Sequence, residues 1–172
     1  MIKYQAHIGI DPGLFGAVCI YSPDNFLSVI DIPLRKVEGF IKESKTKEVD
    51  CQLLNSQIIE QIRENNVNIL TMHMERVYGR GGNSAQSTFS LGDSMGSIRA
   101  TVALAANPDH EIYSLPKVWK SALKLSADKQ KSIDLAISIE PKMVNFLTHS
   151  KHHDRAEAFL LAYMSYNFYE DN

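Results

Sequence analysis

Three short apolar runs in the first 32 residues, each closed by a turn sequence, constrain the fold more than any other feature of the chain. Ala6, Ile8 and Ile10 alternate with His7, Gly9 and Asp11, the period-two pattern of a strand with one face in a core. Asp11-Pro12-Gly13 follows as a turn, and a second run passes through Val18 and Ile20. Ser22-Pro23-Asp24-Asn25 makes the next turn, and a third run, Phe26 to Ile32, stops at Pro33. Strands joined by so few residues pair antiparallel, because a parallel crossover needs a dozen residues or more. The spacing therefore predicts an antiparallel meander and not a Rossmann unit.

Beyond the meander the period changes. Residues 34 to 49 are charged, show no repeat and are read as irregular. Asp50 is the N-cap of a helix to about Asn65, since Leu54, Ile58 and Ile62 recur every four residues and Val49 can staple onto Leu54. Val67 to Glu75 reads as a buried strand, with Leu70, Met72 and Met74 on one face and Ile69, Thr71, His73 and Glu75 on the other. A Gly-rich loop, Tyr78 to Ser84, leads to an amphipathic helix from about Ala85 to Ala106, which Asn107-Pro108-Asp109 terminates. There follow a short strand, Glu111 to Ser114, a helix with Pro116 in its first turn, and a helix from about Asp128 to Ile139 ended by Pro141. The last helix runs from about His153 to Tyr169.

With 172 residues, 44% apolar and 22% charged, the chain fits one compact domain, residues 1–172, with a substantial core. It contains neither an apolar run of about 18 residues nor the succession of a signal peptide, so a soluble, cytoplasmic protein without a membrane partner is expected. Cys19 and Cys51 lack metal-ligand spacing and are read as packing thiols. A formal charge of −2 argues against indiscriminate polyanion binding, although acids gathered around cations leave the remaining surface more basic.

Four acids stand at informative positions. Asp11 lies just past the first strand, Glu75 ends a central strand, and Asp154 and Glu157 are one turn apart on the last helix. Carboxylates brought together repel one another and lose hydration, and nearby cations or raised pKa values relieve both. Hard oxygen ligands suit Mg²⁺ or Mn²⁺, and two such ions about 4 Å apart can activate a water and stabilise the leaving oxygen in phosphodiester hydrolysis. Each residue also has an ordinary reading: turn chemistry for Asp11, an exposed strand end for Glu75, a decorated helix start for the last pair. From the residues alone the set is a candidate metal–carboxylate site.

The segments IGIDPGLFGAV at 8–18, MERVYGRGGNSA at 74–85 and HHDRAEAFLLA at 152–162, in that order, resemble the RuvC-type Holliday junction resolvases, in a phage-like branch. STFSLGDSMGSIRATVALA resembles the family's helix after the second acid, and PKVWKSALKLSADKQ its basic segment. No motif matches from Leu34 to Asp50 or from Pro141 to Ser150. The resemblance implies an α/β, RNase H-like fold, with a mixed central sheet whose first three strands are antiparallel, flanked by helices. It implies a homodimeric, Mg²⁺-dependent crossover junction endonuclease that nicks two symmetric strands of a four-way junction in a bacterial cell or phage-infected host. Asp11, Glu75, Asp154 and Glu157 match the family's catalytic metal ligands, two Mg²⁺ ions per site being implied, with Mn²⁺ as a substitute. Glu157 departs from the Asp usual in bacterial members, and DxxE is associated with phage branches. That departure favours, as an alternative, a broader nuclease cutting forks, flaps and other branched DNA. An actin-like nucleotide-binding domain, suggested by DPGLFG, lacks a second phosphate loop here; an inert junction-binding protein is a further alternative.

Tyr78 matches the family's aromatic that stacks on junction bases, or it caps a hydrophobic rim. Arg76 and Arg80, with Gly81, Gly82 and Asn83, either approach phosphates or belong to a flexible loop. Lys117, Lys120, Lys124, Lys129 and Lys131 face only Asp128 as a local acid, a basic segment in an acidic chain. Within it, Lys120 and Lys129 match family positions near the cleaved strand and are expected to contact DNA. Trp119 is read as a packing residue with its indole N–H satisfied. His149, His152 and His153 precede Asp154 without zinc-site spacing, and His153 is a possible accessory group. His7, about 13 Å from Asp11 along an extended strand, belongs to the core. The small residues Ser87, Ser90, Gly92, Ser94, Gly96 and Ser97 suit close helix packing, within one protomer or at a dimer seam.

Overall fold

The computed structural model describes residues 4–23, 25–36, 47–78, 84–126 and 128–170. Its main sheet opens with the expected meander, β1 (Tyr4–Asp11), β2 (Ala17–Ser22) and β3 (Phe26–Asp31), each antiparallel to the next. After β4 (Leu34–Lys36), β5 (Lys47–Val49) and α1 (Cys51–Glu64), β6 (Val67–Glu75) pairs with β1 in parallel. The long helix α2 (Ala85–Ala106) leads to β7 (His110–Ser114), parallel to β6, and the five-stranded sheet has the order β3-β2-β1-β6-β7. Helices α3 (Pro116–Ala122), α4 (Lys129–Ile139) and α5 (His153–Glu170) complete the chain, with two short 3-10 turns between α4 and α5.

Alternation along β1 divides the core. Ala6, Ile8 and Ile10 join Val18, Ile20, Leu54, Ile58, Ile98 and Val102 beneath α1 and α2. On the opposite side, Ala17, Cys19 and Tyr21 of β2 meet Trp119, Ile133, Phe159 and Leu160 from α3, α4 and α5. Burial pushes the Cys19 thiol up, in keeping with a packing role.

Local signals explain several helix ends. The Asp50 side chain accepts from the Leu53 amide at 3.0 Å to start α1, and the Asp128 side chain accepts from Gln130 at 3.0 Å to start α4. At the end of α2, Asn107 takes the left-handed conformation with φ 45°, a geometry that Asn tolerates better than most residues. Among the described residues no helix is long and apolar enough to cross a membrane.

Two expectations are corrected. Within residues 34–49, β4 and β5 form an antiparallel ribbon, Leu34 facing Val49 across it. Three-residue strands holding a single apolar pair are too short to register as a period, and the cross-strand Arg35–Glu48 ion pair at 3.7 Å reads in sequence as mere charge. In β6 the pairing skips from Ala6↔Ile69 to His7↔Thr71, an extra residue at Leu70 that resets the alternation. Ile69 therefore shares the core with Met72 and Met74 and does not face the side of Thr71 and His73.

Candidate functional site

Parallel pairing sets Ile10 opposite Met74, so the next residues, Asp11 and Glu75, leave neighbouring strands at their carboxyl ends. This is where open α/β sheets place ligands. Both residues fall on the face covered by α5. Gly9 shares that face, and a Cβ there would lie 1.9 Å from the Ala158 carbonyl oxygen and 2.4 Å from the Ala162 nitrogen. Any side chain at position 9 would lift α5 off the sheet. Close contact brings the first turns of α5, carrying Asp154 and Glu157, up to Asp11 and Glu75.

All four acids line one open cleft of about 750 Å³, with Lys117, Lys120, Lys129 and His153 on its walls. Lys124 and Lys131 do not line it. Asp11 is pushed well above the ordinary carboxylate range, first by burial and then by the charges of Glu75, Asp154 and Glu157. Its carboxyl is hydrogen-bonded to that of Asp154. Burial also raises Asp154, against the lowering influence of His153 and Lys129. Glu75 is raised by burial, while the Trp119 hydrogen bond works the other way. The cleft thus concentrates negative charge that its own residues only partly compensate.

Protein donors hold the two glutamates. Trp119, fully buried, donates its indole N–H to Glu75 Oε2 at 2.6 Å. Lys120 donates to Glu157 Oε1 at 2.7 Å, and Ser132 donates to the same oxygen at 3.0 Å. His153 Nε2 lies 2.6 Å from Asp154 Oδ1. Below Glu75, buried His73 shares hydrogen bonds with Ser114 at 2.6 Å and Ser165 at 3.1 Å, tying β6 to β7 and α5. His7 is likewise buried, sharing a bond with Thr71 at 2.9 Å.

The donor set suits a hard divalent cation in chemistry and charge: carboxylate oxygens, buried and crowded enough to push Asp11 well above the ordinary carboxylate range. One oxygen of each glutamate is engaged as described, and among the described residues no three His, Cys, Asp or Glu side chains are disposed to hold one ion as they stand.

The other expected DNA contacts are placed differently. Arg76 and Tyr78 line a separate groove with Arg99 and Tyr113, the Arg76 guanidinium 5.6 Å from the centre of the exposed Tyr78 ring. Arg80, Gly81, Gly82 and Asn83 lie outside the described residues. His149 and His152 do not line the acid cleft. The sequence reading missed Arg155, whose guanidinium grips Asp31 through both carboxylate oxygens at 2.5 and 2.6 Å and donates to the Phe146 carbonyl at 2.8 Å. This fork pins the start of α5 to the end of β3. It also missed that the partner of the Trp119 indole is Glu75 itself.

No protein-family model matches the chain, and no curated protein matches it in sequence. Among solved structures it is similar to T. thermophilus RuvC in complex with a Holliday junction substrate, at 15% identity and a TM-score of 0.58, over 99% of this chain and 96% of that one. It is similar also to a Thermus thermophilus RuvC structure, at 16% identity and a TM-score of 0.51, over 97% and 95%. At such identities the likeness is one of fold: the chain has the RNase H-like fold of RuvC.

Proposed function

We propose that this chain is a single-domain, divalent-metal-dependent endonuclease that resolves four-way DNA junctions as a homodimer. The observation that carries the reading is the cleft itself, in which Asp11, Glu75, Asp154 and Glu157 meet beside Lys117, Lys120 and Lys129 at the carboxyl ends of two parallel strands. Its support from comparison is the fold shared with a RuvC solved on a Holliday junction.

The four carboxylates are the residues that would hold Mg²⁺, or Mn²⁺ in its place. Bound cations there would supply an activated water and charge compensation at the leaving oxygen. The chain's own residues do the rest. Trp119 and Lys120 fix one oxygen each of Glu75 and Glu157, limiting the rotamers the acids can adopt. His153 orients Asp154 and is an accessory group by position. Lys117 and Lys129 meet a backbone phosphate at the rim, and Lys120 reaches one if its bond to Glu157 loosens. Arg76 and Tyr78 offer a cationic and aromatic surface for junction bases in the neighbouring groove, and Arg80 is assigned to DNA on the sequence resemblance alone. Cutting two symmetric strands requires two such sites related by a twofold axis, hence the dimer.

A mobile four-way junction labelled on each strand, incubated with Mg²⁺ and separately with Mn²⁺, is expected to yield paired nicks in opposing strands. No nicking with either ion would refute the reading. Forks and flaps cut as fast as the junction would move it to a broader branched-DNA nuclease, the alternative that Glu157 favours.

The pH profile carries a second expectation. Acids must be deprotonated to hold a cation, and burial raises Asp11, Asp154 and Glu75. Single-turnover cleavage at a low, fixed Mg²⁺ concentration should therefore still be rising with pH above about 5, where ordinary carboxyls have finished titrating. A rate already level at that pH would contradict the crowding described.

A further inference from the structure

The acid cleft does not end at Asp154. A second groove of about 580 Å³ begins there, sharing Lys129, His153 and Asp154 with the first, and runs to a wall formed by Leu14 and Phe15 in the β1–β2 turn. Phe15 is 80% exposed. Its neighbours hold it rigidly: Leu14 packs against the core, and the Gly16 amide donates to the Gly13 carbonyl at 3.1 Å. A Cβ at position 16 would come within 2.0 Å of the Asp11 carbonyl oxygen, so the turn closes directly onto the strand end that carries the first acid. The Ile32 amide donates to the Gly16 carbonyl at 3.0 Å and ties the turn to the end of β3. A large apolar side chain is thus displayed to solvent on a turn tied to the ends of β1 and β3.

Charge decides what fits this groove. Asp31 and Arg155 neutralise each other within the wall, and His153 is occupied by Asp154. Lys151 remains along the path, together with Lys129, which also faces the Asp154 charge. An exposed aromatic side chain and two ammonium groups lining one groove that adjoins the acid site match one nucleotide of a single strand: a base to stack and a phosphate to pair. An apolar peptide would offer Lys151 no counter-charge.

We propose that this groove is a subsite for the nucleotide next to the bond that is cut, Phe15 stacking on its base while Lys151 and Lys129 hold its phosphate. The inference rests on the nuclease reading above and extends it to the path of the strand. Junctions carrying 2-aminopurine at the nucleotides on either side of the mapped nick supply the probe, with cleavage kinetics and fluorescence read for the parent, Phe15→Ala, Phe15→Trp and Lys151→Ala. On one side of the nick only, the parent should quench the probe and Phe15→Ala should not, with KM raised about tenfold and kcat changed less, the scale of losing one base–aromatic stack. Phe15→Trp should restore both, and Lys151→Ala should raise KM and flatten its salt dependence. Position 15 is exposed, so unchanged melting temperatures are expected. If the parent nicks the junction while Phe15→Ala shows the same KM and the same quenching at every position, the subsite does not exist. If the parent nicks no branched DNA at all, it is the nuclease reading that fails, and the subsite falls with it.

Discussion

Asp11→Asn is expected to abolish cleavage and, in metal-free protein, to raise stability. The two effects have one cause. Asp11 is buried beside Glu75, Asp154 and Glu157, and burial first, then their charges, push its carboxyl well above the ordinary range. An amide keeps the shape and removes the ionisation. The gain should be about 1 kcal/mol, in the range found when functional-site strain is relieved, or about 3 °C in a chain of this size.

The sign with pH follows from proton counting. A carboxyl whose folded pKa is raised binds its proton more tightly in the folded state, so its contribution is full below about pH 4, the unfolded value, and is lost as pH rises through the raised value. The advantage of the variant should therefore be absent near pH 4 and grow above it. His7 and His73, pushed down to about 4 by burial, act in the opposite direction, losing their contribution as pH falls below about 6.5. Both proteins carry these histidines, so they cancel in the difference. Saturating Mg²⁺ should reverse the order, because a site that binds only the folded state adds about 2.7 kcal/mol at a hundredfold excess over Kd. Differential scanning calorimetry across pH, with and without Mg²⁺, measures all three. An Asn variant less stable than the parent at every pH without metal would show that Asp11 is structural.

The elements that depend on repetition were legible in the sequence. The alternation through β1 and the four-residue spacing in α1 predict strand and helix because each depends only on which nearby side chains share a face. Placement of the acids was only half legible. Asp11 and Glu75 could be assigned to strand ends, but what joins them to α5 is Gly9, whose missing side chain sets how near the helix comes. A glycine inside an alternating strand is the signal that could have shown it. The bonds that orient the site were not legible at all. Trp119 and Glu75 are 44 residues apart, Ser132 and Glu157 are 25 apart, and Arg155 meets Asp31 across 124. Periodicity reports which face is buried, and it carries no information about which polar group a buried donor will find.

Lys120 shows what that omission changes. As a surface lysine waiting for phosphate, its replacement by Met would alter stability by under about 0.5 kcal/mol and weaken DNA binding alone. Its ammonium is instead 2.7 Å from a glutamate whose side chain is 7% exposed. Removing it leaves the Glu157 carboxylate with Ser132 as its remaining donor among the bonds described. Breaking a buried pair from one side costs roughly 3–5 kcal/mol, and less where a neutral donor survives and the lysine is partly exposed, so Lys120→Met should cost about 2–3 kcal/mol. In Glu157→Gln the amide oxygen still accepts from Ser132 and no buried charge is left unpaired, so the double variant should recover most of the loss. The expected coupling is about 2 kcal/mol, measured by urea unfolding of the four proteins at pH 7. Losses that simply add would mean that the pair contributes nothing to folding, and that Lys120 serves DNA alone. With strong coupling, Lys120 would be a positioning residue for Glu157, and on the nuclease reading proposed above an incoming phosphate would compete with Glu157 for its one ammonium.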